Sequence, residues 1–443
     1  MSYLSKTDLQ LAKILKDEIK RQATTLMMIP SENHTSEAVR EAVGSCLQDK
    51  YCEGYPYRRY YQGQQNFDKL ETLAQERIKK AFGVPYVNVQ PLSGAPANIA
   101  VFLALLKPGD KVLSLRLDQG GHLSHGSPVH FSGKYYKTVF YHLNKKGIID
   151  YEAMKALAKK EKPKLIIAGI SAYPRALDFK KFAEAADSIG AYLLADVAHV
   201  AGLIAAAVYP DPAPHCHIVT TTTHKTLRGP RGALIMATKK GLRKDPKLSE
   251  KIDKAVFPGL QGGPHENNIA GIAVAFKEAG KASFKKYGKQ IVSNAKELAS
   301  QLKKEGLVLC SGGTNTHLIL MDVRPLNISG KLAAEALEAA GIVVNYNGIP
   351  YDPNPPFFPS GVRLGTPAIT SQGMKENQMK QIGGLIGRVF RDIARIKKEM
   401  KISFEQEKKK KNRDNIIGKS GEVKKVRAEV QKLCGKFPIK KKY

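Results

Sequence analysis

Between residues 67 and 240, short apolar runs alternate with longer stretches in which apolar residues recur every three or four positions. The runs YVNVQ (86–90), KVLSL (111–115), KLIIAGI (164–170), AYLLAD (191–196), HIVTTT (217–222) and GALIMAT (232–238) have the length of strands. They are apolar throughout rather than at alternate positions, which suits a sheet covered on both faces. Helical periodicity fits 68–82, 94–106, 151–161 and 178–189. The alternation predicts an α/β fold: a large domain with a mostly parallel mixed sheet covered by helices. In such sheets functional groups gather beyond the carboxyl ends of the strands.

The rhythm changes further on. A long helical region runs from about Glu266 to Glu305 and is followed by THLILMD (316–322), a helix at 329–340, GIVVNY (341–346) and VRLG (362–365). These predict a smaller C-terminal α/β domain. The expected division is an N-terminal helical arm (1–22), a large domain (23–280) and a small domain with a basic helical end (281–443). The arm mixes acids with bases and reads as an amphipathic helix, not as a signal or transit peptide. The lysines of EQEKKKKNRD read as an exposed turn between helices.

Composition changes this picture at two points. No apolar run reaches the ~18 residues of a membrane span. The five cysteines, Cys46, Cys52, Cys216, Cys310 and Cys434, are odd in number and show no paired spacing. That implies free thiols, no metal site and a reducing, cytoplasmic location. The charge is +31, and from Lys397 to the end 17 basic and 6 acidic residues carry +11 of it. A solvated cationic surface explains this, with RNA binding as a sharper alternative.

Candidate chemistry begins at VTTTTHKTLRGPRG (219–232), where four threonines and His224 precede Lys225 at a strand end. A lysine that attacks a carbonyl must shed its proton near neutral pH, which desolvation and the nearby Arg228 and Arg231 favour. Asp196 ends the preceding apolar strand, 29 residues earlier. A buried carboxylate there needs a cationic partner, and a pyridinium nitrogen would serve. Pyridoxal 5'-phosphate requires both groups, a lysine for its aldehyde and an acid for its ring nitrogen. Ala198 and His199 follow Asp196 closely enough to face the same ring. Ser93, Gly94 and Ala95 open a helix whose free N–H groups suit a phosphate. Arg363, in the glycine-rich SGVRLGTP, offers a guanidinium fork to a carboxylate.

With MIPSENHTSEAV, DKYCEGYPYRRYYQG, GGHLSHGSPVHFSG and FPGLQGGPHE, these segments resemble the serine hydroxymethyltransferases, from about Leu9 to Pro438. That family belongs to the fold-type-I pyridoxal-phosphate enzymes. The resemblance implies transfer of the hydroxymethyl group of serine to tetrahydrofolate, leaving glycine. It implies that Lys225 bonds the cofactor covalently and that Asp196 holds the ring nitrogen. His122 and Ala198 would flank the ring, Ser171 would bond its oxygen, and His199, Thr222 and His224 would line the pocket. Ser93, Gly94 and Ala95 would hold the phosphate, with Tyr51, Gly262 and Gly263 reaching it across the interface of a homodimer with shared active sites. Ser31, Tyr61 and Arg363 would bind the amino acid. Glu53 would be the acid/base group, and Tyr60, Leu117, Gly121, Leu123 and Asn347 would join it around the folate. Ala95 stands where many members carry a second serine. A folate-independent aldolase of β-hydroxy amino acids is the alternative on the same scaffold.

Overall fold

The computed structural model describes residues 3–439; positions 1–2 and 440–443, at the outer ends of the expected arm and basic terminus, lie outside them. The central sheet has seven strands: β1 Tyr86–Asn88, β2 Lys111–Leu115, β3 Lys137–Tyr141, β4 Leu165–Gly169, β5 Tyr192–Asp196, β6 Ile218–Thr222 and β7 Ala233–Ala237. Their spatial order is β1-β7-β6-β5-β4-β2-β3. Strands β2 to β6 run parallel, and β7 is antiparallel to both β6 and β1.

Successive residues of the central strands enter different cores. Leu193 and Ala195 belong to one apolar cluster and Leu194 to another; Ile166 and Ile167 divide in the same way. Each face therefore needs its own helical cover. On the one side lie helices α1 Gln65–Phe82, Tyr151–Glu161, Phe179–Asp187 and Glu266–Ala279. On the other lie Gly94–Leu105 and Leu248–Val256.

Strand β3 was not among the predicted runs. It lies at the sheet edge and only Tyr141 of its five residues is fully buried, so it lacks the continuous apolar pattern of its neighbours. The expected helical region after Glu266 is two helices, broken near Gly280, with the second at Ala282–Lys304.

A second sheet orders Val308–Leu309, β8 Leu318–Asp322, β9 Gly361–Gly365 and Asn345–Asn347, all antiparallel. Its core includes helices Gly330–Ala339 and Glu376–Glu399 and also two residues from far upstream, Leu26 and Met28. The short strand Leu26–Met27 runs parallel to Ile342–Val343, so this body is closed by the beginning of the chain. In the basic stretch, Lys408–Lys411 are exposed; Lys408 and Lys409 form the turn between helices Phe404–Glu407 and Lys410–Lys419, and Lys410 and Lys411 open the second helix. Glu407, just before these lysines, is not: it is buried and ion-paired with Lys397.

Candidate active site

The carboxyl ends of β4, β5 and β6 open into one cavity of about 430 Å³. Of the residues singled out from sequence, its wall brings together Ser31, Ser93, Gly94, Ala95, His122, Ser171, Asp196, Ala198, His199, Thr222, His224, Lys225 and Arg363. Glu32, Ile170 and Arg231 complete it and were not anticipated as lining residues.

The threonines have separate tasks. Thr220 Oγ1 donates to Asn98 Oδ1 at 2.8 Å, Thr221 to the Thr222 carbonyl at 2.8 Å, and Thr223 to the Pro230 carbonyl at 2.6 Å. Thr222 reaches the Ala198 carbonyl at 3.5 Å. A buried hydroxyl left unpaired costs about 1–3 kcal/mol, so these pairings let a polar strand end sit inside the protein. The turn after Lys225 is closed by the Arg228 N–H on the Lys225 carbonyl at 3.1 Å, with Arg228 at φ 59°. Asn33 Nδ2 also donates to that carbonyl, at 2.9 Å. Lys225 is thus anchored on both sides of its loop.

Asp196 is held as an anion. Burial alone would raise its carboxyl, but His125 Nε2 and Asn98 Nδ2, each 2.8 Å from Oδ2, and the nearby His122 bring it well below the usual carboxylate range. The Ala198 N–H adds 3.1 Å to Oδ1. Hydrogen bonds to charged groups contribute about 1.5–3 kcal/mol each, enough together to offset a desolvation cost of several. A relay results: Thr220 orients Asn98, and Asn98 orients Asp196. Neither Asn98 nor His125 was predicted. The available signals were an asparagine inside the apolar run APANIAVFLALL and a second histidine three residues after His122.

Lys225 is buried, and desolvation brings its ammonium down to about 8; Asp196 opposes the shift, while Arg363 and Arg231 reinforce it. The amine is therefore within reach of its neutral, nucleophilic form near neutral pH. Burial lowers His122 to about 4 and His224 to about 3, and takes His199 well below its ordinary value, with Lys225 the next cause for His199 and His224. All three line the cavity as neutral imidazoles. Arg363, on β9, is brought down to about 10 by burial and remains cationic. Its Nε donates to Asn345 Oδ1 at 3.0 Å and its Nη1 to the Ser171 carbonyl at 2.7 Å, which fixes the plane of the fork. Gly94 sits where a side chain cannot: an added Cβ would lie 2.7 Å from the Thr222 methyl.

The remaining predicted residues lie outside this cavity. Tyr51, Glu53, Gly262 and Gly263 form a separate group. A Cβ at Gly262 would be 3.1 Å from Glu53 Oε1, and one at Gly263 would be 3.0 Å from the Tyr51 ring. Tyr61 packs edge-on against Tyr51, and the exposed Tyr60 against Phe257. Leu117 and Asn347 line a second cavity of about 620 Å³. Gly121 is packed tightly on the Leu115 carbonyl, 2.1 Å from the position of an added Cβ, and Leu123 is exposed.

A buried lysine and an ionised aspartate at the carboxyl ends of a mostly parallel seven-stranded sheet define a fold-type-I pyridoxal-phosphate enzyme. The sequence profile of serine hydroxymethyltransferase matches residues 4–386. The serine hydroxymethyltransferase of Desulfotalea psychrophila is 50% identical over 438 residues, 99% of this chain and 96% of the relative. That of Nostoc punctiforme is 52% identical over 385 residues, 87% of this chain and 89% of the relative. The chain belongs to the serine hydroxymethyltransferase family. Among the described residues, no helix is long and apolar enough to cross a membrane.

Proposed function

We propose that the protein interconverts L-serine and glycine, passing the one-carbon unit to tetrahydrofolate as 5,10-methylenetetrahydrofolate, with pyridoxal 5'-phosphate held in the cavity around Lys225. The observation that carries this reading is one cavity shared by a lysine lowered to about 8 and a carboxylate held ionised. The family match supports the transferase reading over the aldolase and RNA-binding alternatives.

The residues present fit the cofactor. When bound, it supplies an electron sink for cleavage at the amino acid's α-carbon. Asp196, already ionised, would accept from the ring nitrogen. Ser93, Gly94 and Ala95, at the start of Gly94–Leu105, would donate to the phosphate. His122 and Ala198 would bracket the ring, with Ser171, His199, Thr222 and His224 around its edge. Arg363, whose Nη2 has no partner among the described residues, would bind the substrate carboxylate beside Ser31.

Glu53 would move the proton, and Tyr51, Gly262 and Gly263 would reach the phosphate, each from the partner subunit of a homodimer; Tyr61 would assist at the carboxylate. That they pack on one another and none lines its own chain's cavity supports this reading. The second cavity, with Leu117 and Asn347, supports a folate position bounded also by Tyr60, Gly121, Leu123 and Glu53. Free thiols and the absence of a spanning helix among the described residues are compatible with a cytoplasmic enzyme.

The test is serine turnover and the absorption spectrum of the loaded enzyme. Glycine should alter the spectrum, and tetrahydrofolate should alter it again while serine is consumed. Equal serine cleavage with and without folate would reject the proposed acceptor.

A further inference from the structure

Behind His199 lies a second buried histidine that the reading above does not use. His317 immediately precedes β8, is 1% exposed, and lies edge to edge with His199, ring centroids 5.6 Å apart and planes 26° from parallel. Its Nε2 is 3.3 Å from His199 Nδ1. Its backbone carbonyl accepts the Thr366 N–H at 3.1 Å, so its position is set by the second sheet rather than by the cavity. The charged groups facing the pair are Lys225 and Arg363, both cationic, and His122 stands near His199. Burial, with Lys225 and Arg363 next, lowers His317 to about 3, and His199 is depressed for the same reasons. The pair is therefore neutral, and one proton lies between the two facing nitrogens.

His317 Nδ1 decides where it comes from, because this atom is buried and has no hydrogen-bond partner among the described residues. If His199 were the donor, His317 would carry its own proton on Nδ1, a buried N–H with no acceptor. If His317 donates from Nε2, Nδ1 is only an unused lone pair. Orphaned buried donors are rarer than under-used acceptors, and an unmade buried bond costs about 1–3 kcal/mol. The second arrangement wins. His199 must then bear its proton on Nε2, because Nδ1 is occupied as an acceptor.

We propose that His317 is a positioning residue that sets the tautomer of His199, donating to its Nδ1 so that His199 offers an Nε2–H donor to the cavity. What that donor meets, an oxygen of the bound cofactor or substrate, rests on the proposed function; the tautomer does not. In a cavity already lined by Lys225, Arg231 and Arg363, a further donor without positive charge can bond an anionic oxygen without adding to the repulsion around Lys225. The other tautomer would present a lone pair to that oxygen and repel it.

The experiment separates the two claims. Nitrogen-15 NMR of histidine-labelled, cofactor-free protein should show His199 with a protonated Nε2 and an unprotonated Nδ1, assigned by loss of the signals in His199→Asn. In His317→Leu the His199 proton should redistribute between the two nitrogens, and in His317→Gln, whose amide keeps a donor near the Nε2 position, it should stay on Nε2. In the loaded enzyme His317→Leu should lower kcat about tenfold, the effect of about one hydrogen bond, with KM for serine little changed and His317→Gln restoring most of the loss. A protonated Nδ1 in the wild type overturns the proposal, as does an unchanged His199 spectrum in His317→Leu. If the leucine variant does not fold, the wild-type and glutamine spectra still decide the tautomer. A protein that turns over neither variant nor wild-type serine rejects the proposed function and leaves the tautomer to the spectra.

Discussion

At Lys225 the chemistry and the fold depend on different atoms: the amine is lowered to about 8 by burial, while the backbone carbonyl is tied to Asn33 and Arg228. Lys225→Ala should therefore leave the loop folded and some cofactor bound through the remaining contacts, but abolish turnover. In the wild type, borohydride should fix the cofactor to the peptide containing Lys225; labelling of another lysine would displace the assignment. Asp196→Asn should keep the shape, since Asn98 and His125 can still bond an amide oxygen, yet cost on the order of a hundredfold or more in kcat as the fixed charge disappears. Near-normal turnover would reduce Asp196 to a strand end. Arg363→Lys should raise KM for serine by about ten- to a hundredfold, because a lysine loses the fork as well as the ties to Ser171 and Asn345. Unchanged KM would exclude the carboxylate role. Sequence made Asp196 legible because a charge ending an apolar strand has no packing explanation, Lys225 because it follows a hydroxyl-rich strand end, and Arg363 because of its glycine-rich flanks. Asn98, His125 and His317 act through other side chains, and their partners are 98, 71 and 118 positions away. No local pattern records such distances.

The strands legible from sequence were mostly those buried on both faces, whose runs are mainly apolar. Edge strand β3 and the break between Glu266–Ala279 and Ala282–Lys304 depend on neighbours rather than on local pattern. An element-scale consequence lies where α1 meets Glu266–Ala279. Arg59 contacts Asp68 at 2.9 Å, Glu71 at 2.9 Å and Glu266 at 3.5 Å, so three carboxyl groups face one guanidinium with all four side chains nearly buried. One cation cannot neutralise them. Glu266 is raised to about 8, first by burial and then by Glu71, with both its oxygens lacking a hydrogen-bond partner among the described residues. The folded state therefore keeps a proton that the unfolded chain releases near its ordinary value of 4.5. By linkage that contribution is complete below about 4.5 and is lost as pH rises through about 8. Glu266→Gln should match the wild type in thermal stability near about pH 5 and exceed it near about pH 9. If the difference between them does not grow across that interval, Glu266 is ionised throughout.

At the scale of the whole molecule, the proposal that Tyr51, Glu53 and Gly263, none of which lines its own chain's cavity, serve the partner's cavity requires two chains for each site. Mixing a Lys225→Ala chain with one altered at both Tyr51 and Gly263, under conditions of subunit exchange, should restore activity. In the mixed dimer one site carries both defects and the other carries neither. Heterodimers without activity would refute the shared site.

The pairing of Leu26–Met27 with Ile342–Val343 has a consequence for how the protein is made. A chain emerging from the ribosome can complete the seven-stranded sheet while its second core still lacks most of its residues, since domains commonly fold in the order of synthesis. Leu26 and Met28 emerge before the seven-stranded sheet, yet their packing partners emerge after it. A stalled or truncated chain would therefore display an apolar segment at its front end, a handle for chaperone retention or degradation that the finished protein no longer shows.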